Sequence, residues 1–114
     1  MKSNHRSRAE RIVHEAQEIK AERIVLFDVT KTSSFTNYII MCEGTSQAHV
    51  KGIAGYVEEK LRKEDKICGN LEGYTEGTWI LLDYGDVVMH IFHPETRKYY
   101  NLEELHIGVP MEAF

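Results

Sequence analysis

The apolar positions of the chain first follow a helical rhythm and then an extended one. From Arg8 to Ala21, Ala9, Ile12, Val13, Ala16 and Ile19 recur on one helical face with charges between them, which predicts an amphipathic first helix. Arg23 to Val29 (RIVLFDV) is dense in β-branched and aromatic residues and predicts a central strand. A polar loop over Lys31 to Ser34 leads to a second strand, Phe35 to Cys42 (FTNYIIMC). Glu43 to Ser46 is a turn, with Thr45 or Ser46 capping a second helix in which Val50, Ile53, Ala54, Val57 and Leu61 keep the helical period. That helix ends in the charged run Arg62 to Lys66. Ile67 to Gly77, with its three glycines, predicts a short edge strand and a loop. Trp79 to Asp83 and Asp86 to Phe92 predict a hairpin turning at Tyr84-Gly85, where glycine supplies a positive φ. Pro94 stops its second strand, Arg97 to Tyr100 predicts a last short strand, and Asn101 to Leu105 a capped final helical turn. Residues 1–114 are expected to form a single α/β domain with a mixed sheet and flanking helices.

Alternation sorts the hairpin side chains. With a two-residue turn at Tyr84-Gly85, Asp83 pairs with Asp86, Leu82 with Val87, Leu81 with Val88, Ile80 with Met89 and Trp79 with His90. Ile80, Leu82, Val87, Met89 and Ile91 then share an aliphatic face suited to packing under the two helices. Trp79, Leu81, Val88, His90 and Phe92 share the other, with Asp83 and Asp86 at its tip. This second face is either another buried layer or an exposed patch of the kind that marks interaction sites.

Composition narrows the function classes. The 114 residues are 42% hydrophobic and 28% charged, with a net charge of −4, as expected of a single globular domain. A mildly acidic chain carries no sequence-wide footprint for nucleic acid. The two cysteines, Cys42 and Cys68, form neither a CxxC nor a zinc-ligand spacing and are read as reduced, buried thiols. The N-terminal MKSNHRSRAERIVHEAQ lacks the apolar core of a leader. The apolar runs fall well short of the ~20 residues that span a bilayer, so a cytoplasmic location is expected.

Chemistry is sparse. Gly44-Thr45-Ser46 at a strand-to-helix turn, with Asp28, Asp83 and Asp86 as magnesium ligands, sketches a nucleotidyltransferase site. The alternative for the same turn is a helix N-cap, and no Asp-x-Asp pair follows the helix on one strand. His90 and His93 point to opposite sides of an extended segment and do not share a metal. His49 is a surface or capping residue. No serine or cysteine is matched with a base. Neither a metal nor a cofactor is expected, and catalysis is not. Tyr99-Tyr100 beside Arg97 and Lys98 could stack on RNA bases as a minor contact, or one tyrosine could anchor the C-terminal segment.

The order DVT, then SSFTNYIIMCEGTS followed by AHV, then WILLDYGDVVMHIF and a P-E-x-R-x-Y-Y-x-L-E-x-L tail resembles the ribosomal silencing factor family, also called the Iojap family, from about Ala9 to Leu105. The resemblance implies a small α/β fold similar to nucleotidyltransferases without their active site. It also implies a non-enzymatic translational repressor that binds large-subunit ribosomal protein number fourteen, blocks subunit joining under nutrient limitation, and pairs as a homodimer when free. Such a factor needs aromatic and apolar anchors with a polar rim. The partner-binding residues expected are Trp79, Leu81, Val88 and His90 as the cluster, Asp83, Tyr84 and Asp86 at the hairpin tip, and Arg97 and Tyr100 beyond it. Two positions depart from the family pattern: Asn37 stands where Asp is usual, and His106 where Trp usually follows Leu105.

Overall fold

The computed structural model describes residues 4–114; positions 1–3 of the N-terminal stretch read above lie outside them. Helix α1 (Asn4–Glu18) leads into strands β1 (Glu22–Asp28) and β2 (Tyr38–Glu43), then helix α2 (Gln47–Lys60). Edge strand β3 (Asn70–Glu72), the β4 (Trp79–Asp83) and β5 (Val87–Phe92) hairpin, helix α3 (Pro94–Tyr100) and edge strand β6 (Met111–Ala113) follow. They make one six-stranded sheet in the order β3-β4-β5-β2-β1-β6. The sheet is mixed, as expected: β2 and β5 run parallel, and every other neighbouring pair is antiparallel.

The two amphipathic helices form as their spacing predicts, and both cover the same face. Ala9, Ile12, Val13 and Ala16 of α1 and Val50, Ile53, Ala54 and Val57 of α2 are buried against Leu26, Ile40, Cys42, Ile80, Leu82, Val87, Met89 and Ile91. Each buried Val, Leu, Ile or Met side chain contributes about 1.5–3 kcal/mol relative to exposure, so this layer dominates the stability. Ser46 is the N-cap of α2, its hydroxyl accepting the backbone N–H of His49 at 3.0 Å. After Lys60 the helix widens into a π turn, Leu61–Asp65, which closes on Lys66 in the left-handed region. Arg11 of α1 reaches across to Glu64 and Asp65 at 2.6 and 3.3 Å, so the turn is fastened to the first helix.

Three expectations are corrected. The hairpin turns at Gly85-Asp86, one residue later than predicted: Trp79 pairs with Phe92, Ile80 with Ile91, Leu81 with His90, Leu82 with Met89 and Asp83 with Val88. Gly85, at φ +85°, occupies the first turn position, where a type II′ hairpin turn places glycine. The ladder continues one step further through the Tyr84 N–H to the Val87 carbonyl at 2.9 Å. Second, Arg97 to Tyr100 is helical rather than extended. His93 caps α3, Pro94 occupies its first turn, Glu95 lies at its positive end and Arg97 and Lys98 at its negative end, all signals that favour a helix. Third, of the two cysteines, Cys42 is buried but Cys68 is exposed, and both are free thiols.

Candidate protein-binding face

Moving the hairpin turn by one residue shifts the pairing by two, which preserves parity, so the predicted faces survive the wrong register. Ile80, Leu82, Val87, Met89 and Ile91 are fully buried beneath α1 and α2. Trp79, Leu81, Asp83, Val88 and His90 alternate with them, each half-buried, while Phe92 is buried.

The second face continues across the sheet. Ile39 pairs with Val88, and Met41 with His90; in β1, Phe27 pairs with Ile39, and Val25 with Met41. Phe27, Val29, Met41 and Phe92 form a second buried cluster, with Val25, Ile39, Trp79, Leu102 and Val109 packed against it. The segment from α3 through the 3₁₀ turn Leu102–His106 covers part of this layer: Tyr100 meets Trp79 with ring centroids 4.9 Å apart, and His106 meets Phe27 at 5.0 Å. The face is thus neither bare nor a complete second layer. Toward the hairpin tip, Leu81, Val88 and Ile39 remain partly open, while exposed Tyr100 covers Trp79 at the other end of β4.

Trp79 is held on three sides. Its ring stacks on Phe92 at 5.4 Å and contacts Tyr100, and its indole N–H donates to Nδ1 of His90 at 3.1 Å. Nδ1 must be unprotonated to accept, so the neutral tautomer carries its hydrogen on Nε2. Burial, with a further push from nearby His106, lowers the His90 pKa to about 4. The imidazole is therefore uncharged near neutrality and serves as an acceptor for the indole.

The other predicted contacts lie elsewhere. Tyr84 follows Ile80 and Leu82 in alternation and turns to the helix side, packed against the main core; its ring lies so close to Gly69 that a side chain there would collide with it. Asp86 is directed at α1, its carboxylate 2.7 Å from both His5 Nδ1 and Arg8 Nη1. Burial alone would raise that carboxyl pKa, but the hydrogen bonds from His5 and Arg8 hold it below the usual carboxylate range. Asp83 stays at the tip, accepting the Gly85 N–H at 2.7 Å. Arg97 is buried: it donates to the Arg23 carbonyl at 2.8 Å, to Glu43 at 3.3 Å and to Glu103 at 3.2 Å. The Arg23 carbonyl belongs to a β-bulge in β1, where Arg23 itself has φ +49°. Arg97 is thus a structural tie between α3, the bulge and β2, since its guanidinium donors are engaged within the fold.

The residues of the nucleotide-transfer sketch do not converge. Asp28 accepts from the Thr30 backbone and hydroxyl at 3.0 and 2.6 Å, Asp86 pairs with α1, and Asp83 caps its own turn. At the start of α2, the Thr45 N–H donates to His49 Nδ1 at 2.9 Å and the His49 N–H to Ser46. Those amides are occupied by the chain's own side chains, so the Gly44-Thr45-Ser46 turn is the N-cap alternative. His49 also bridges to the Ile19 carbonyl through Nε2 at 2.9 Å, joining α2 to the end of α1.

Ile39, absent from the expected contact residues, belongs to the same face. Ile39 joins the face only through the parallel pairing of β2 with β5, between strands distant in the chain. No helix among the described residues is long and apolar enough to cross a membrane.

The family model described as "Ribosomal silencing factor during starvation" matches residues 2–112. The chain is 36% identical over 93 residues to the Ribosomal silencing factor RsfS of Halalkalibacterium halodurans, covering 82% of this chain and 80% of that protein. It is 30% identical over 90 residues to the mouse protein named Mitochondrial assembly of ribosomal large subunit protein 1, covering 75% of this chain and 39% of the relative. A crystal structure of a Chromobacterium violaceum protein superposes with a TM-score of 0.86 at 33% identity, covering 90% of this chain and 86% of that one. With a family match over nearly its whole length and a solved relative of the same fold, the chain belongs to the ribosomal silencing factor family.

Proposed function

We propose that this protein is a non-enzymatic translational repressor that binds the large ribosomal subunit through ribosomal protein number fourteen and keeps the small subunit from joining. Family membership points to the ribosome, and the name of the mouse relative points to its large subunit. The observation that carries the surface assignment is the partly open apolar rungs of the second face: Leu81 beside His90, and Val88 beside Ile39, next to a Trp79 held in place by Phe92, Tyr100 and His90. A pre-oriented aromatic anchor with apolar neighbours and a carboxylate, Asp83, at the rim is the composition of an interface hot spot. Arrest works by occupancy and needs no turnover. Action in the cytoplasm under nutrient limitation, and pairing of free copies as a homodimer, belong to the same reading. Residue by residue, Trp79, Leu81, Val88, His90 and Tyr100 carry the contact, Ile39 joins them and Asp83 stays at the rim. Tyr84, Asp86 and Arg97 support the fold beneath.

The test is co-sedimentation with purified subunits, followed by a subunit-reassociation assay. The wild type is expected to travel with large but not small subunits and to reduce reassociation. Trp79→Ala combined with Leu81→Ala is expected to lose both properties while circular dichroism reports a folded chain. Undiminished sedimentation of a folded double variant would place the contact on another surface.

A further inference from the structure

We propose that Phe35 is a second anchor for the same partner, an aromatic side chain that enters an apolar pocket of a ribosomal protein beside the face described above. The inference rests on the large-subunit reading and extends its contact surface to the loop between β1 and β2. Phe35 is 92% exposed, the most open of the large apolar side chains among the described residues.

An exposed phenylalanine on a slack loop would mean little, since single apolar residues on surfaces are common. This loop is pinned. The Ser33 hydroxyl accepts the backbone N–H groups of Phe35 and Thr36 at 3.1 and 3.3 Å. The N–H groups of Thr32 and Ser33 return to the Val29 carbonyl at 3.1 and 2.9 Å, and the Val29 N–H meets the Asn37 carbonyl at 3.0 Å. The Asn37 N–H then donates to the Asp86 carbonyl at 3.0 Å, tying the loop to the hairpin turn. Each bond fixes backbone that would otherwise be free, so the ring projects from a pre-ordered base and loses little loop entropy on burial.

The loop leaves the sheet at the end where β2 begins, next to the rung of Ile39, Val88 and Asp83. That is the end left partly open by α3 and the 3₁₀ turn, so the loop that carries Phe35 emerges beside the open rung. Charge favours protein over RNA as the occupant. Lys31 is the one cation between Val29 and Asn37, Arg6 and Arg8 at this end are engaged by Glu112 and Asp86, and the neighbouring Asp28 and Asp83 would oppose a phosphate backbone.

The experiment replaces Phe35 with the photoreactive p-benzoylphenylalanine, irradiates the protein on purified large subunits, and asks after nuclease digestion whether the label stays on a ribosomal protein. Phe35→Ser is measured in parallel by sedimentation. Attachment to a ribosomal protein is expected, with about ten- to a hundredfold weaker binding of Phe35→Ser and unchanged melting. Attachment to rRNA would overturn the choice of partner. Unchanged affinity of Phe35→Ser, or no attachment on subunits that bind the wild type, would overturn the anchor. Failure of the wild type itself to bind large subunits would instead overturn the functional reading on which the anchor rests.

Discussion

The indole of Trp79 donates its hydrogen bond to the imidazole of His90, 3.1 Å away on the neighbouring strand. Phe92 lies one alternate position beyond His90 and stacks against both rings, at 5.4 and 5.9 Å. The largest side chain of the second face is therefore fixed by its neighbours before any partner arrives. Such an anchor loses little rotamer freedom on binding.

The first prediction concerns His90. Its pKa is held near 4 by burial, against an ordinary 6.5, so it stays neutral across pH 5.5 to 7.5, and large-subunit affinity should be flat over that range. A tenfold change in affinity within it, absent from His90→Gln, would mean that the imidazole titrates at the interface. For folding, a depressed histidine pKa gives stability that is present above the unfolded value and lost as pH falls through the folded one. His90→Phe should therefore remove part of the stability loss seen between about pH 6.5 and 4.

The hairpin turn provides a second prediction. Asp86 is held below the usual carboxylate range and ties the turn to α1 through His5 and Arg8. Its contribution is present above the unfolded carboxyl pKa and disappears as pH falls through the lower folded value. Asp86→Asn should cost about 1–3 kcal/mol at pH 7 and progressively less as the pH is taken below the ordinary carboxylate range, read from urea unfolding at neutral and acid pH. A deficit that does not shrink on acidification would mean that charge is irrelevant to the tie.

Arg97 should behave as a core residue. Replacing it with alanine frees the Arg23 carbonyl at the bulge and leaves the buried Glu43 carboxylate to the exposed Arg23 side chain, 3.5 Å away, a loss of about 1–3 kcal/mol. Arg97→Lys keeps the charge but cannot reproduce a guanidinium that reaches two carboxylates and a carbonyl, so it should recover only part of the melting temperature. Wild-type melting of Arg97→Ala with weakened ribosome binding would instead return Arg97 to the contact surface.

Leu81 separates contact from stability better than Trp79. It is half-buried and lies outside both core clusters, so Leu81→Asp should shift stability by less than about 1 kcal/mol yet abolish subunit binding by placing a carboxylate in a desolvated contact. A folded variant that binds normally would move the contact away from β4.

Gly73 sits behind Trp79 at φ +80°, and a side chain there would overlap the Trp79 carbonyl oxygen. Gly73→Ala must therefore shift β4 or distort its own turn, and should cost more than about 1 kcal/mol. Tryptophan fluorescence should change together with the melting temperature; a silent substitution would mean that the turn relaxes freely.

Features that depend on local periodicity were legible from the order of residues alone. Spacing at i, i+3 and i+4 set the buried stripes of α1 and α2, and strict alternation divided β4 and β5 into two faces, because side chains of an extended chain leave opposite sides at every step. That division tolerated the misplaced turn, since a two-residue change of pairing returns each side chain to the same face. The family was legible as well, because WILLDYGDVVMHIF and the tail behind it are long and specific. Relations between distant segments emerged with the folded chain: Arg97 beneath β1 and β2, Asp86 beneath α1, β6 against β1, and Ile39 brought beside Val88 by a parallel pairing. Arg97 and Asp86 looked like surface charges because charge alone says nothing of burial. A charged group is buried when a partner at the right distance repays its lost hydration, and that partner is supplied by the fold.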